Sequence, residues 1–222
     1  MSIADNLARV HERIDAACRR AGRSPDEVTL VGVSKGFPAA AVAEACAAGL
    51  RDVGENRVQE AAPKIETLAA QGVRPRWHLI GHLQSNKAQT AVGLFAIIHS
   101  IDSLRIAEAI SRRAPGLLPL LLEVNVSQEA SKYGFPMDEV VPALPAIRPF
   151  PNLDVRGLMT VAPLPGDPEA VRPVFRALRE LRDRTGLREL SMGMTDDFEV
   201  AIEEGATMVR VGRAIFGERP LA

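Results

Sequence analysis

Aromatic side chains make up only 4% of this 222-residue chain, with one Trp and one Tyr. That leaves no stock of flat rings on which nucleic-acid bases could stack. An excess of either charge is also missing. The 27 basic and 28 acidic residues leave a formal charge of -1, which gives no electrostatic reason to expect nucleic acid or an anionic membrane as a partner. Cysteine is scarce. Cys18 and Cys46 sit in alanine-rich helical patterns without CxxC or metal-type spacing, so they read as small reduced thiols and no metal site is expected. No apolar run reaches 18 residues, and the opening SIADNLARVHER lacks the basic-then-apolar pattern of a secretory signal. The expectation is a cytoplasmic protein with no membrane span.

What is present is the composition of a soluble globular domain, 46% hydrophobic and 25% charged. The length suits one domain over residues 1–222. Its organising stretch is VTLVGVSK, Val28 to Lys35. Thr29 is the only polar residue before Ser34, and the valines suit a strand covered on both faces. A lysine directly after such a strand cannot fold back into the core without a large desolvation cost. It stands at the carboxyl end, where α/β folds place ligands, as either a salt-bridge partner or a nucleophile.

Ahead of that strand, residues 2–21 read as an amphipathic helix with Leu7, Val10, Ile14 and Ala17 on one face. Further apolar runs follow at Leu50–Val53, Arg76–Ile80, Ala96–Ser100, Leu117–Val126, Leu153–Val161, Leu187–Met192 and Thr207–Val211, separated by helical patterns. Pro142 and Pro145 predict an irregular helix over 137–147, and Pro173 predicts a kink or a late helix start. Thr195 or Asp196 is positioned to cap the helix after the seventh strand, with Glu199 completing a capping box. Eight strands alternating with helices give a (β/α)8 TIM barrel with an extra N-terminal helix. A doubly wound open sheet is the alternative.

On a barrel, the residues after each strand share one rim: Lys35, Asn56, His78 and His82, His99 and Asp102, Asn125 and Lys132, Met159 and Thr160, Ser191 to Thr195, Arg210 and Gly212. There is no carboxylate cluster for glycoside hydrolysis, and Ser34 has no base beside it. His99 and Asp102 read as structural, and Lys132 as a solvated loop charge with a cofactor-release role as the alternative. SMGMTDD and RVGRAIFG each run from strand through small residues to a helix start, a pattern that can cradle phosphate on backbone N–H groups or merely close tight turns. A phosphate seat facing a strand-end lysine suits a ligand with both a phosphate and an aldehyde, as in pyridoxal 5'-phosphate.

Seven motifs in order, VGVSKGFP, DVGENRVQE, WHLIGHLQSNK, HSID, GLMTVAP, LSMGMTDDFEVAI and VRVGRAIFG, resemble the pyridoxal phosphate homeostasis protein family from about Val28 to Gly217. The resemblance implies a monomeric barrel similar to the N-terminal barrel of alanine racemase. It implies Lys35 as the Schiff-base lysine and Arg210 facing the pyridine nitrogen. Ser191, Met192, Gly193, Thr195, Gly212 and Arg213 would hold the phosphate through hydroxyls and backbone, and Asn56 and His78 would line the ring. The family pattern reads SKTKP where this chain has SKGFP, and SMGMSDD where it has Thr195.

The implied function is a carrier or buffer of pyridoxal phosphate that hands it to apo forms of dependent enzymes. An arginine at the pyridine nitrogen weakens the ring as an electron sink. The two-domain relatives of the resemblance take a second base from a C-terminal domain, for which this sequence has no matching stretch. A slow amino-acid racemase or decarboxylase and a phosphosugar enzyme on the same barrel are the alternative functions.

Overall fold

The computed structural model describes residues 2–129, 132–163 and 166–218, so Ala130 and Ser131 of one expected loop and Leu164 and Pro165 of another lie outside the described residues. Eight parallel strands close a barrel in the order β1 to β8. They are β1 (Thr29–Val33), β2 (Asp52–Glu55), β3 (Arg76–Leu79), β4 (Ile97–Ile101), β5 (Leu118–Glu123), β6 (Leu153–Met159), β7 (Glu189–Met194) and β8 (Met208–Val211). The helices are α1 (Ile3–Arg20), α2 (Ala39–Ala47), α3 (Val58–Ala70), α4 (Ala88–Leu94), α5 (Leu104–Ser111), α6 (Met137–Ile147), α7 (Arg172–Thr185), α8 (Phe198–Glu203) and α9 (Arg213–Phe216). The TIM barrel and its preceding helix are therefore as the sequence predicts. None of the described helices is long and apolar enough to cross a membrane.

The barrel closes where β8 pairs with β1, Gly32 opposite Val211. That pairing makes the turn after β1 and the turn after β8 immediate neighbours. α1 buries Leu7, Val10, Ile14, Ala17 and Cys18 and lies against α8 and α9. Its polar face also makes contacts. Arg13 forms two hydrogen bonds with Glu199 while its guanidinium sits 4.4 Å above the Phe198 ring, and Asn6 donates to the carbonyl of Ile215. α1 thus holds the two short helices that follow β7 and β8.

Several expected strand boundaries shift: β5 and β6 end at Glu123 and Met159, two to three residues before the apolar runs do, while β2 and β7 extend further toward the mouth. β2 begins two residues later than the apolar pattern predicts and includes Gly54 and Glu55, because Lys64 on α3 neutralises Glu55 under the helix layer. Leu50 turns outward instead and lies over Gly32. β7 likewise runs to Met194. Pro142 and Pro145 are accommodated within one continuous helix, and Pro173 takes the second position of α7 after a short 3-10 turn over Pro168–Val171, the late start. The expected cap of α8 does not form. Asp197 is the N-cap residue, Thr195 accepts from Gly212 N–H and Asp196 pairs with Arg213, so both expected caps are engaged by the loop after β8.

Side chains alternate between the helix layer and the barrel interior. Ile97, Leu121, Met159 and Met208 form an apolar layer inside. Asp52, His78, His99, Ser191 and Arg210 share that interior as a buried polar layer.

Candidate binding site at the barrel mouth

β1 ends at Val33, and the chain turns at once: Phe37 N–H donates to the Ser34 carbonyl at 3.0 Å. Lys35 is half-buried at the first corner of that turn. Gly36 has φ +77°, the left-handed conformation that the second corner of a type II turn requires and that a Thr adopts only under strain. Phe37 then packs on Phe216 of α9, ring centroids 5.3 Å apart. The Gly-Phe pair that departs from the family motif therefore shapes the lysine turn and fastens it to the helix after β8.

Beneath the turn, the Ser34 hydroxyl donates to Glu55 at 2.6 Å. Lys64 Nζ donates to the Ser34 carbonyl at 2.9 Å and pairs with Glu55. Glu55 is fully buried and Lys64 nearly so, so this ion pair anchors the end of β1 from below.

Across the mouth, the loops after β7 and β8 approach each other. Gly193 has φ +90°, and a Cβ there would stand 2.5 Å from the Ala201 Cβ and 2.9 Å from the Phe198 Cα, so only glycine lets α8 close on β7. Thr195 Oγ1 accepts from Gly212 N–H at 3.3 Å, which leaves its own hydrogen to donate elsewhere. At the start of α9 the first intrahelical donors are the N–H groups of Ile215 and Phe216, both to Gly212. The N–H groups of Arg213 and Ala214 precede them and have no carbonyl within the helix to bond.

Arg210 points into the barrel below those loops. Its Nη1 donates to Ser191 Oγ at 2.6 Å and its Nη2 to the Thr160 carbonyl at 2.7 Å. Burial pushes it down to about 10, opposed by the nearby Asp197 and Glu123 carboxylates, so it is charged at neutral pH.

Glu123 at the end of β5 has an orphaned buried Oε2 and lines a cavity of about 190 Å³ with Asn125, Lys132, Tyr133 and Val161. Burial pushes its pKa up to about 7, with Asp102 adding to the rise and Arg210 opposing it. The folded value lies above the unfolded value of 4.5, so Glu123 favours the fold fully below pH 4.5 and loses that contribution as pH rises through about 7. Glu123→Gln should therefore be neutral near pH 4 and stabilising by up to about 3 kcal/mol above pH 7, read by urea unfolding at both pH values.

The expected site residues divide into two sets. Lys35, Asn56, Thr195, Gly212 and Arg213 lie at the rim, with Arg210 just inside it. His78, Ser191 and Met192 do not. His78 is hydrogen-bonded between His99 and Asp52 in the interior, the Ser191 hydroxyl is hydrogen-bonded to Arg210 and His99, and the Met192 side chain packs outward under the helices. His99 belongs to the interior as well, and Asp102 instead pairs with His82 at 3.0 Å, whose ring stacks on Tyr133. Lys132 is tethered rather than solvated, pairing with Glu129 at 2.7 Å and donating to the Val161 carbonyl. Sequence reading missed Lys64, Glu55 and Glu123; a charged residue at a strand position that alternation buries is the signal that would have found the last two.

Comparison with known proteins agrees with this architecture. Residues 5–220 match the alanine racemase N-terminal domain family. The pyridoxal phosphate homeostasis protein of Pseudomonas aeruginosa is 48% identical over 98% of this chain and 96% of its own length. The Escherichia coli K12 protein of the same name is 44% identical over 98% and 97%. PipY of Synechococcus elongatus, solved with pyridoxal phosphate bound, superposes with a TM-score of 0.84 at 38% identity, covering 97% of this chain and all of that one (100%). Alanine racemase of Clostridium difficile shares the fold at a TM-score of 0.70 and 15% identity, this chain covering 58% of it. By sequence match over nearly its whole length, this chain belongs to the pyridoxal phosphate homeostasis protein family, built on the barrel of the alanine racemase N-terminal domain.

Proposed function

We propose that this protein binds pyridoxal 5'-phosphate at the barrel mouth and holds it reversibly, as a carrier or buffer for apo-enzymes that need it. The observation that carries this reading is the β8–β1 junction. There the Lys35 turn adjoins a loop pair that offers hydrogen-bond donors: Thr195 O–H and the Arg213 and Ala214 N–H groups. A donor set of this kind fits a phosphate dianion, and the Asp196 carboxylate in the loop after β7 is paired with Arg213. Met192 and Gly193 serve the loop through backbone and shape.

Lys35 Nζ would condense with the aldehyde as a Schiff base, losing water, and hydrolysis would release the cofactor unchanged. The buried Glu55–Lys64 pair fixes the backbone that carries Lys35, and Asn56 borders the same rim. Arg210, charged at neutral pH, offers N–H groups to a pyridine nitrogen and keeps that nitrogen unprotonated. This disfavours carbanion chemistry and favours binding without turnover. The same reading makes the protein a cytoplasmic monomer; sedimentation of the purified protein tests the monomer, and fractionation of cells its location.

Titration of the purified protein with pyridoxal phosphate should produce a visible absorbance band. On mixing with an apo-enzyme, the band should decay as that enzyme gains activity. Absorbance that forms but never transfers would reject the carrier role. Exchange of an amino acid's α-proton for deuterium by the loaded protein would reject binding without turnover.

A further inference from the structure

A single file of hydrogen bonds runs through the barrel interior from β8 by way of β7, β4 and β3 to β2. Arg210 Nη1 donates to Ser191 Oγ at 2.6 Å, and Ser191 Oγ lies 2.8 Å from His99 Nδ1. His99 Nε2 lies 2.9 Å from His78 Nδ1, and His78 Nε2 lies 2.8 Å from Asp52 Oδ1. At the far end Arg76 Nε also donates to Asp52. Every member from Arg210 to Asp52 is at most 7% exposed.

The two ends dictate which atom carries each proton. A guanidinium only donates, so Ser191 Oγ accepts from Arg210, and the serine hydrogen is directed to His99 Nδ1. A neutral His99 then carries its proton on Nε2 and gives it to His78 Nδ1. His78 in turn carries its proton on Nε2 and gives it to the Asp52 carboxylate. The reverse sense fails at Asp52, where a bare imidazole nitrogen would face a carboxylate oxygen. Burial lowers the pKa of both histidines, His99 the more strongly, which keeps both rings neutral.

We propose that Asp52, His78, His99 and Ser191 are positioning residues for Arg210: an oriented chain that ties its guanidinium to the Asp52 carboxylate on β2, two strands away around the barrel. Aligned donor–acceptor links polarise one another, so the far carboxylate strengthens the grip on Arg210 at Ser191. The charged groups facing the two ends are Arg76 at Asp52 and Glu123 and Asp197 at Arg210. The inference rests on the proposed role of Arg210 at the pyridine ring, but the chain itself exists without ligand and can be tested without it.

The first arm uses ligand-free protein with 15N-labelled histidine. At neutral pH, His78 and His99 should both be protonated on Nε2 and bare on Nδ1. A proton on Nδ1 of either ring overturns the chain. The second arm measures pyridoxal phosphate dissociation constants for Asp52→Asn, Arg210→Lys and the double variant. Asp52→Asn should weaken binding about fivefold or more, and the double variant should bind no worse than Arg210→Lys alone. Losses that multiply would mean Asp52 acts independently of Arg210 and would refute the positioning role. Ser191→Ala replaces Asp52→Asn in the same cycle if the latter does not fold. Failure of the wild type to bind the cofactor would reject the function proposed above, while the proton positions would still decide the chain.

Discussion

Lys64→Met should lower the unfolding free energy by about 3–5 kcal/mol, as expected when one partner of a buried ion pair is removed. Glu55 is fully buried, its Oε1 accepts from Lys64 and Ser34, and its Oε2 is an orphaned acceptor. Without the ammonium, the carboxylate either stays charged in an apolar layer or takes up a proton, and both cost stability. Replacing both partners, Glu55→Gln with Lys64→Met, should recover most of the loss because no net charge remains buried. Urea unfolding of the two single variants and the double tests this. Single losses under about 1 kcal/mol would show the pair to be no anchor. Lys64 also bonds the Ser34 carbonyl, so its loss should loosen the Lys35 turn and weaken cofactor binding along with stability.

Arg210→Met should weaken pyridoxal phosphate binding on the order of a hundredfold, from the loss of hydrogen bonds to a charged group, each about 1.5–3 kcal/mol. The same change removes the cation that holds Glu123 down, so the Glu123 carboxyl should titrate above about 7. Spectral titration of the cofactor gives the affinity, and NMR of the labelled glutamate gives the second quantity. An unchanged affinity would remove Arg210 from the site, whatever happens to Glu123.

The barrel was legible in the sequence because eight β-branched runs alternate with helical periods, and that rhythm survives errors at strand ends. The ends themselves were misread where a strand contains a charged residue or glycine. Gly54–Glu55 looks like loop, and only Lys64, nine residues further along the chain, makes it strand. The rim was legible for the same reason as the barrel: Lys35, Thr195, Gly212 and Arg213 follow directly from strand order.

The interior polar file was not legible. Asp52, His78, His99, Ser191 and Arg210 lie on five different strands, and their meeting depends on barrel closure and on which way each strand's alternation points. Position after a strand suggested that His78 and Ser191 face a ligand, whereas position within the strand sends them inward. Gly36-Phe37 stands where the family pattern has Thr-Lys, and what it supplies, a left-handed corner and a ring contact to Phe216, is visible only in three dimensions.

The central claim is that the Lys35 amine takes the cofactor aldehyde. Borohydride reduction of the protein loaded with pyridoxal phosphate, followed by proteolysis and mass mapping, reads this directly. The account predicts a stable phosphopyridoxyl adduct on Lys35, absent from the same peptide in Lys35→Ala protein. A label confined to other lysines, with the Lys35 peptide unmodified, would contradict it.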